Sequence, residues 1–485
     1  MSTTTTTPTG PQARVRSSDI TPAMARRASL GSFIGAVVEW YDFLLYGVLA
    51  ALVFNKQFFP EVSPAIGTIA AFGTLGIGFV FRPLGGAFFG HFGDKLGPKR
   101  ILIWTMSIMG VATFAIGLLP NYGTIGIAAP LILVTLRAIQ GFAVGGEWGG
   151  ATLMAVTQAP AGRKAFYSSG VQMGYGAGLI MANGAVLAVT TLFGSEALRE
   201  WAWRLPFLLS APLVLLGLWV RSGVEDIHHA AVDADSTDEG PSESANLADG
   251  QRVSGTGRGE ADAGSVEGQP GEGMPSTKRP PLLEALLNHP LAFFQIIGVR
   301  AVEMFTMYVV TTFALSYSTQ NLEWSEQVFL NIAIAIGALS LVTIPLFAYL
   351  SDRFGRKPVY LSGAVVGAVF AFPFFWALEA ESIVWTWVFA LVLVNVAHDL
   401  AVAVQQPLIT ELFGAEYRYS GAGLGYQVAA VVCGGFTPFI AASLQEVTGS
   451  WVGVAVYLLF GCVVSFATVA FMRPERGDGA VLRRP

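Results

Sequence analysis

The sequence predicts an all-α integral membrane protein, with twelve transmembrane helices in two pseudo-symmetric six-helix bundles. Three observations carry this reading. Hydrophobic residues make up 53% and charged residues only 13% of the 485, too few charges to solvate a globule of that length. Twelve apolar windows are long enough to cross about 30 Å of hydrocarbon at roughly 20 residues each. The segment GHFGDKLGPKR, Gly90 to Arg100, returns in shorter form as LSDRFGRKP, Leu350 to Pro358, and Asp94 aligns with Asp352 at an offset of 258 residues. That offset is about half the chain, so the halves read as repeats. Repeats carried on membrane spans are a signature of secondary transporters, whose substrate sites lie between the repeats near the bilayer midplane.

Residues 1–29, a Thr tract followed by polar residues and Arg, form an N-terminal tail. It has no short apolar core with a small-residue cleavage site, so the first span is expected to act as its own insertion signal. The first bundle, 30–222, holds windows near 30–54, 65–91, 99–119, 126–157, 165–193 and 204–222. Residues 223–289 break the pattern. Rich in Gly, Ser, Asp and Glu and almost free of aromatics, they read as a flexible acidic cytoplasmic linker. His228 and His229 at its start, with no Cys partner, read as solvated residues rather than metal ligands. The second bundle, 290–472, holds windows near 291–318, 327–350, 358–378, 383–411, 419–444 and 451–472, and residues 473–485 form the C-terminal tail. Cys433 and Cys462 fall inside spans and read as packing residues.

Orientation follows from Lys and Arg. With a cytoplasmic N-terminus, the tails and even-numbered connections hold 22 of these residues, against Lys56, Arg199 and Arg204 on the other side. Both termini are therefore expected in the cytoplasm, and the chain in the cell membrane. The acidic excess behind the net charge of −5 sits largely in one loop.

The remaining three cations lie within spans. An ionisable group at the bilayer centre costs about 2.5–3.5 kcal/mol on insertion scales, so it persists where it pairs or lines a wet cavity. Arg82, Arg137 and Arg300 face the acids Glu39, Asp42, Glu147, Glu303 and Asp399, so two acids are left without a cation. Such carboxylates are candidate proton carriers, and all five are candidates here. At about 1.5 Å per residue, Asp42 lies roughly 18 Å into the first window and Arg300 roughly 14 Å into the seventh. The offset of 258 superposes Asp42 on Arg300, Gln140 on His398 and Glu147 on Gln405. Glu39 with Asp42, Arg137 with Gln140, and Arg300 with Glu303 are each three apart and share a helix face; each could equally be a static structural pair. Arg82 precedes Pro83 and suits a structural role at a kink as well as a substrate contact. His398 with Asp399 reads as a proton relay or as a polar pair stabilising its helix.

A small anionic solute suits these groups. The guanidinium of Arg137 or Arg300 can fork onto a carboxylate. Gln140, Gln172, Asn395, Gln405 and Gln406, with His398, can meet hydroxyls, and Trp40, Tyr41, Trp148 or Tyr308 can pack on a ring. A dicarboxylate or a betaine could use much the same groups. In the repeated loop, Asp94 suits the positive end of the next helix and Lys95, Lys99 and Arg100 face the cytoplasm. With Asp352, Arg353 and Arg356 they are candidates for a cytoplasmic gate that latches the halves by charge pairing, or for positive-inside anchors only. Gly170, Gly174 and Gly178 in the fifth window, and Gly421, Gly423, Gly425, Gly434 and Gly435 in the eleventh, allow close helix approach for static packing or for gating.

The two loops resemble the signature of the major facilitator superfamily, as does LRAIQG, Leu136 to Gly141. EWYDFLLYG, Glu39 to Gly47, with GFVFRPLGG and GFAVGGEWGG, resembles its metabolite:proton symporter group, and so do AHDLAVAVQQP, ELFGAEYRYSGAGLGYQ and YSTQN, Tyr317 to Asn321. The sequence departs from the pattern at Pro98, where Arg is usual, and at Ala348, where Gly is usual. The resemblance implies that the first, fourth, seventh and tenth helices line a central cavity. It also implies import of shikimate, or of a dehydroshikimate- or quinate-like hydroxy acid, by proton symport with alternating access. Another solute on the same scaffold (a dicarboxylate, an aromatic acid or an osmolyte), or export, is the alternative.

No GxxxxGK[ST] phosphate loop occurs, so transport is expected to be secondary. Nothing resembles a nucleophile with its base or a Cys/His cluster, which argues against an enzyme. No cofactor and no metal are expected, the coupling ion being a proton. The expected partners are the solute, the proton and the lipid bilayer, with no nucleic acid, and the chain is expected to work as a monomer.

Overall fold

Hydrocarbon offers backbone amides no partner, so each apolar run must close its hydrogen bonds internally as a helix. The computed structural model describes residues 22–96, 98–146, 163–222, 289–410, 412 and 418–472. Among these, eleven helices are long and apolar enough to cross a membrane: α1 (Phe33–Phe58), α2 (Pro64–Phe89), α3 (Arg100–Leu118), α4 (Ala128–Gly145), α5 (Ala165–Ala202), α7 (Pro290–Asn321), α8 (Glu326–Phe354), α9 (Arg356–Glu379), α10 (Ile383–Thr410), α11 (Gly421–Thr448) and α12 (Val452–Phe471). A shorter apolar helix, α6 (Arg204–Trp219), completes the first six. The expected windows recur with shifted ends. The fourth stops at Gly145 rather than 157, with 147–162 outside the described residues, and the fifth runs on to Ala202. The proposed linker, apart from His289, and both tails as far as they precede Pro22 or follow Met472, also lie outside them.

Local sequence explains the ends. Ser63 caps α2 by accepting from the Ile66 amide, with Pro64 at the first helical position, and Ser325 accepts from Gln327 at the start of α8. Both supply an oxygen to an otherwise orphaned amide. Gly355, the glycine of LSDRFGRKP, separates α8 from α9 at φ 94°, a conformation that favours glycine. The two halves share a deviation from α geometry: π-helical turns at Ala50–Phe54 in α1 and Val309–Phe313 in α7 stand at equivalent places of the repeat.

The halves meet along a seam of small residues and rings. A Cβ on Gly176 of α5 would lie 2.7 Å from the Gly337 carbonyl of α8, and one on Gly337 would lie 2.5 Å from the Gly176 carbonyl. A Cβ on Gly435 of α11 would meet Phe79 of α2 at 2.6 Å. Gly174 and Gly178 instead pack on Ala36 and Trp40 of α1, inside their own half. Glycine therefore serves both kinds of interface, and the α5–α8 seam uses a pair outside the evenly spaced run. Cys433 and Cys462 are buried free thiols, the Cys433 thiol donating to the Ile297 carbonyl.

Candidate functional site

In the first half, the Asp42 carboxylate of α1 accepts from the Thr113 hydroxyl of α3 at 2.6 Å and from the Gln140 amide of α4 at 2.9 Å. Arg137 Nη1 lies 3.7 Å from Asp42 Oδ2 and donates to Gln140 Oε1 at 2.7 Å. The guanidinium stacks over Tyr46 at 3.8 Å. Glycine permits this arrangement: a Cβ on Gly141 of α4 would stand 1.7 Å from the Gly78 carbonyl of α2, so the two backbones touch and hold Arg137 against α1. Next to it, Arg82 of α2 lies between Phe43 and Phe79, 4.0 Å from each ring centre, with Nη1 4.0 Å from Glu39 Oε1. Two aromatic faces and one carboxylate offset part of the cost of taking the cation out of water.

In the second half, Arg300 of α7 donates to Glu303 Oε1 at 2.7 Å and to the Tyr426 carbonyl at 3.2 Å, and lies 3.4 Å over the Tyr426 ring. The other Glu303 oxygen accepts from Gln405 of α10, whose own carbonyl accepts from Gln172 of α5 at 3.3 Å. The chain Gln172, Gln405, Glu303, Arg300 thus crosses the seam. Asp399 of α10 has a different company. It accepts from Ser340 at 2.9 Å and from Thr343, both on α8, from Asn395 at 3.3 Å, and bonds His398 Nδ1 at 2.8 Å. A π-helical turn over Val392–His398 presents Asn395, His398 and Asp399 together. The His398 ring packs on Tyr175 of α5 at 4.9 Å, again across the seam.

Several buried polar atoms around this centre have no hydrogen-bond partner among the described residues. They are Arg82 Nε, Arg137 Nε and Nη2, Arg300 Nε, the hydroxyls of Tyr175 and Tyr308, both amide atoms of Gln406, Asn395 Oδ1 and Gln427 Oε1. Tyr308 lies in the electrostatic field of Arg82, Arg137, Arg300 and Glu39 together. Unmet buried donors and acceptors cost about 1–3 kcal/mol each, and those of Arg82, Arg137, Arg300 and Tyr175 lie around Tyr308, each within electrostatic reach of it.

Of the other expected site residues, Tyr41 turns its hydroxyl to the Pro206 carbonyl at 2.6 Å, and Trp40 packs edge-on against Tyr175. Glu147 and Trp148 lie outside the described residues, as do the side chains of Asp94, Lys95 and Lys99. Arg100 is exposed and Arg356 buried, while Arg353 stacks over Phe354 at 5.7 Å. Asp352 lies within electrostatic reach of Arg356 and Arg163. Its two oxygens accept from the backbone amides of Ala165 and Phe166 at 3.3 and 3.0 Å, capping the first turn of α5 in the other half, where the helix dipole favours an anion. Ala348, beside it, packs with Ala165 and Ala403. At the other end of the seam, Gln320 of YSTQN donates to the Ala51 carbonyl at 3.2 Å, within the π turn of α1, and to Thr68 at 3.1 Å. Gly194 at φ 86° turns the end of α5 so that Arg199 lies 3.8 Å from Glu326. Both ends of the seam are thus bridged.

Sequence reasoning missed Thr113, Phe43, Phe79, Tyr175, Tyr426 and Gln427. Neutral or aromatic, they carry no polarity signal inside a span beyond that of ordinary packing. Tyr426 and Gln427 close the quoted run ELFGAEYRYSGAGLGYQ, the single hint available.

Residues 32–438 and 296–484 match the family described as the Major Facilitator Superfamily. Over 453 residues the chain is 55% identical to the shikimate transporter of Escherichia coli (strain K12), covering 93% of this chain and 95% of that one. It is 33% identical over 451 residues to the proline/betaine transporter of Salmonella typhimurium, covering 92% and 83%. Among solved structures, the partially occluded inward-open xylose transporter XylE from E. coli superposes with a TM-score of 0.66 at 17% identity, covering 94% and 99%. The crystal structure of a D-xylose-proton symporter gives 0.64 at 15% identity, covering 92% and 97%.

Proposed function

The chain belongs to the Major Facilitator Superfamily, and on that premise we propose that it imports shikimate, or a closely related hydroxy acid, together with protons by alternating access. It is a multi-pass membrane transporter. The observation that carries the reading is the convergence on Tyr308: a buried hydroxyl, unpartnered among the described residues, in the field of three guanidinium groups drawn from both halves. A solute with a carboxylate, three hydroxyls and a ring matches those groups, and the 55% identical relative is named for such a solute.

The roles follow from which atoms are free. Arg137 spends Nη1 on Gln140 and Asp42, leaving the Nε and Nη2 edge to fork onto the carboxylate. The hydroxyls meet Tyr308, Gln406 and Gln427. As the anion takes up Arg137, the negative charge added beside Asp42 is neutralised by a proton on that carboxylate, while Thr113 and Gln140 keep it in place. Solute and proton therefore load together. The bridges at the two ends of the seam, Asp352 on α5 and Gln320 on α1, open alternately as the halves rock. The chain works as a monomer in the cytoplasmic membrane; that both termini lie inside is supported by the distribution of Lys and Arg. Residues 30–222 and 290–472 form the bundles, joined by the linker at 223–289.

The test is uptake of labelled shikimate into proteoliposomes under an imposed inward proton gradient, for the wild type and Asp42→Asn. Uptake that collapses with an uncoupler and in the variant is the expected result. Absence of uptake by folded wild type removes shikimate import, and competition by unlabelled dicarboxylates, aromatic acids and betaine then identifies the cargo.

A further inference from the structure

The intramembrane acids divide unevenly. Glu39, Asp42 and Glu303 each lie within 4.0 Å of a guanidinium, that of Arg82, Arg137 and Arg300 respectively. Asp399, fully buried, has only hydroxyls, an amide and an imidazole as hydrogen-bond partners among the described residues. An anion so placed is held by hydrogen bonds alone, and the group beside it able to supply a counter-charge is His398. With Nδ1 turned to Asp399 Oδ1 at 2.8 Å, the neutral imidazole donates there and leaves the Nε2 lone pair free to take a proton. The product is an imidazolium–aspartate pair that is neutral overall and suits a low dielectric.

We propose that His398 and Asp399 form a second proton site, so that each substrate anion enters with two protons and transport moves a net positive charge. The inference rests on the proposed symport. Its location supports it. His398 packs on Tyr175 across the seam, and the Tyr175 hydroxyl is itself buried without a partner among the described residues, so the imidazole stands at the α5–α10 interface that rocking of the halves alters. The titratable groups on neighbouring helices leave the imidazole this role. Tyr175 comes from α5. On α7, Arg300 and Glu303 are committed to each other, with Tyr308 beyond them. On α9, Tyr360 donates to the Val299 carbonyl, and Arg356, Lys357 and Glu379 stand at the helix ends. On α8, Ser340 and Thr343 are neutral, with Glu326, Asp352 and Arg353 near its ends. In each cycle one proton forms an N–H bond at Nε2 on the outer side, and that bond breaks to water on the inner side.

Proteoliposomes with a potassium diffusion potential, inside negative, and no pH gradient separate the possibilities. The wild type is expected to accumulate labelled shikimate about 50-fold at 100 mV, the equivalent of one net charge. A wild type driven by a pH gradient yet insensitive to voltage overturns the second site while leaving the symport reading intact. Uptake under neither gradient overturns both. His398→Gln is expected to lose the voltage-driven accumulation and keep a reduced pH-driven uptake; a variant still driven by voltage overturns the proposal. Should the variant show no net uptake, counterflow between equal pH values decides. Retained exchange supports a lost proton step, and lost exchange assigns His398 to structure.

Discussion

The two halves use the same positions of a repeat for opposite purposes. At an offset of 258 residues, Asp42 corresponds to Arg300, Arg137 to Asn395, Gly141 to Asp399 and Arg82 to Ser340. In the first half, α2 and α4 touch through the backbone at Gly78 and Gly141, and the acid comes from α1. In the second, the same contact between α8 and α10 is filled by the Asp399 carboxylate, which bonds Ser340 and Thr343, and the cation comes from α7. The π turn in α10 has no counterpart at the equivalent stretch of α4, which is regular α-helix; it adds a residue to the turn and brings His398 and Asp399 to the seam. A duplicated scaffold thus holds one carboxylate against a guanidinium and another among neutral donors. On the proposed roles, the first arrangement answers to solute and proton together, and the second to the proton alone.

The comparison is broken most severely at Arg137. Arg137→Gln leaves Asp42 buried without its cation, a change costing about 3–5 kcal/mol, and is expected to abolish uptake and lower the melting temperature in detergent. Gly141→Ala forces a methyl into the Gly78 carbonyl; overpacking costs typically about 1–3 kcal/mol and more where backbone is the neighbour. It should lower the yield of monodisperse protein, whereas Asp399→Ala, at the equivalent position, should spare folding relative to it. Tyr308→Phe removes one hydroxyl from the centre and should weaken shikimate binding by up to about tenfold, read by isothermal titration, with coupling to the proton intact. Ser340→Ala removes one of several donors to Asp399, costs about 1 kcal/mol, and should slow uptake several-fold without ending it. Asp352→Asn keeps one acceptor for the α5 amides and loses the charge; at about 0.3–1 kcal/mol its effect is the smallest. It should appear as a modest rise in labelling of a cysteine placed at Ala403, where retention of wild-type labelling would argue that the Asp352 contact does not hold the seam.

Much of this was legible because charge inside a membrane is rare. Counting five acids against three cations implies two acids without an arginine; among the described residues Asp399 has no guanidinium in ion-pair distance, and Glu147 lies outside them. The spacing of Glu39 and Asp42 placed them on one face, but could not tell that Glu39 would reach Arg82 on α2 while Asp42 reached Arg137 on α4. Tyr41 illustrates the opposite case: the residue stands beside Asp42 in sequence, and its hydroxyl points away to Pro206. The Gly174–Gly178 spacing correctly signalled close packing, but the partner is α1 rather than the opposite half.

The sequence alone determined the membrane class, the repeat, the orientation expected from Lys and Arg, and the set of ionisable groups available to the centre, because hydropathy, charge counts and period are properties of the chain itself. Which acid meets which guanidinium, where the π turns fall, how Gln320 and Asp352 bridge the seam, and that neutral residues such as Thr113 and Tyr175 join the site were decided by tertiary structure. These are distances between segments as far apart as the 269 residues separating Gln320 from Ala51, and helix rotation by part of a turn changes every one of them while leaving composition and hydropathy untouched.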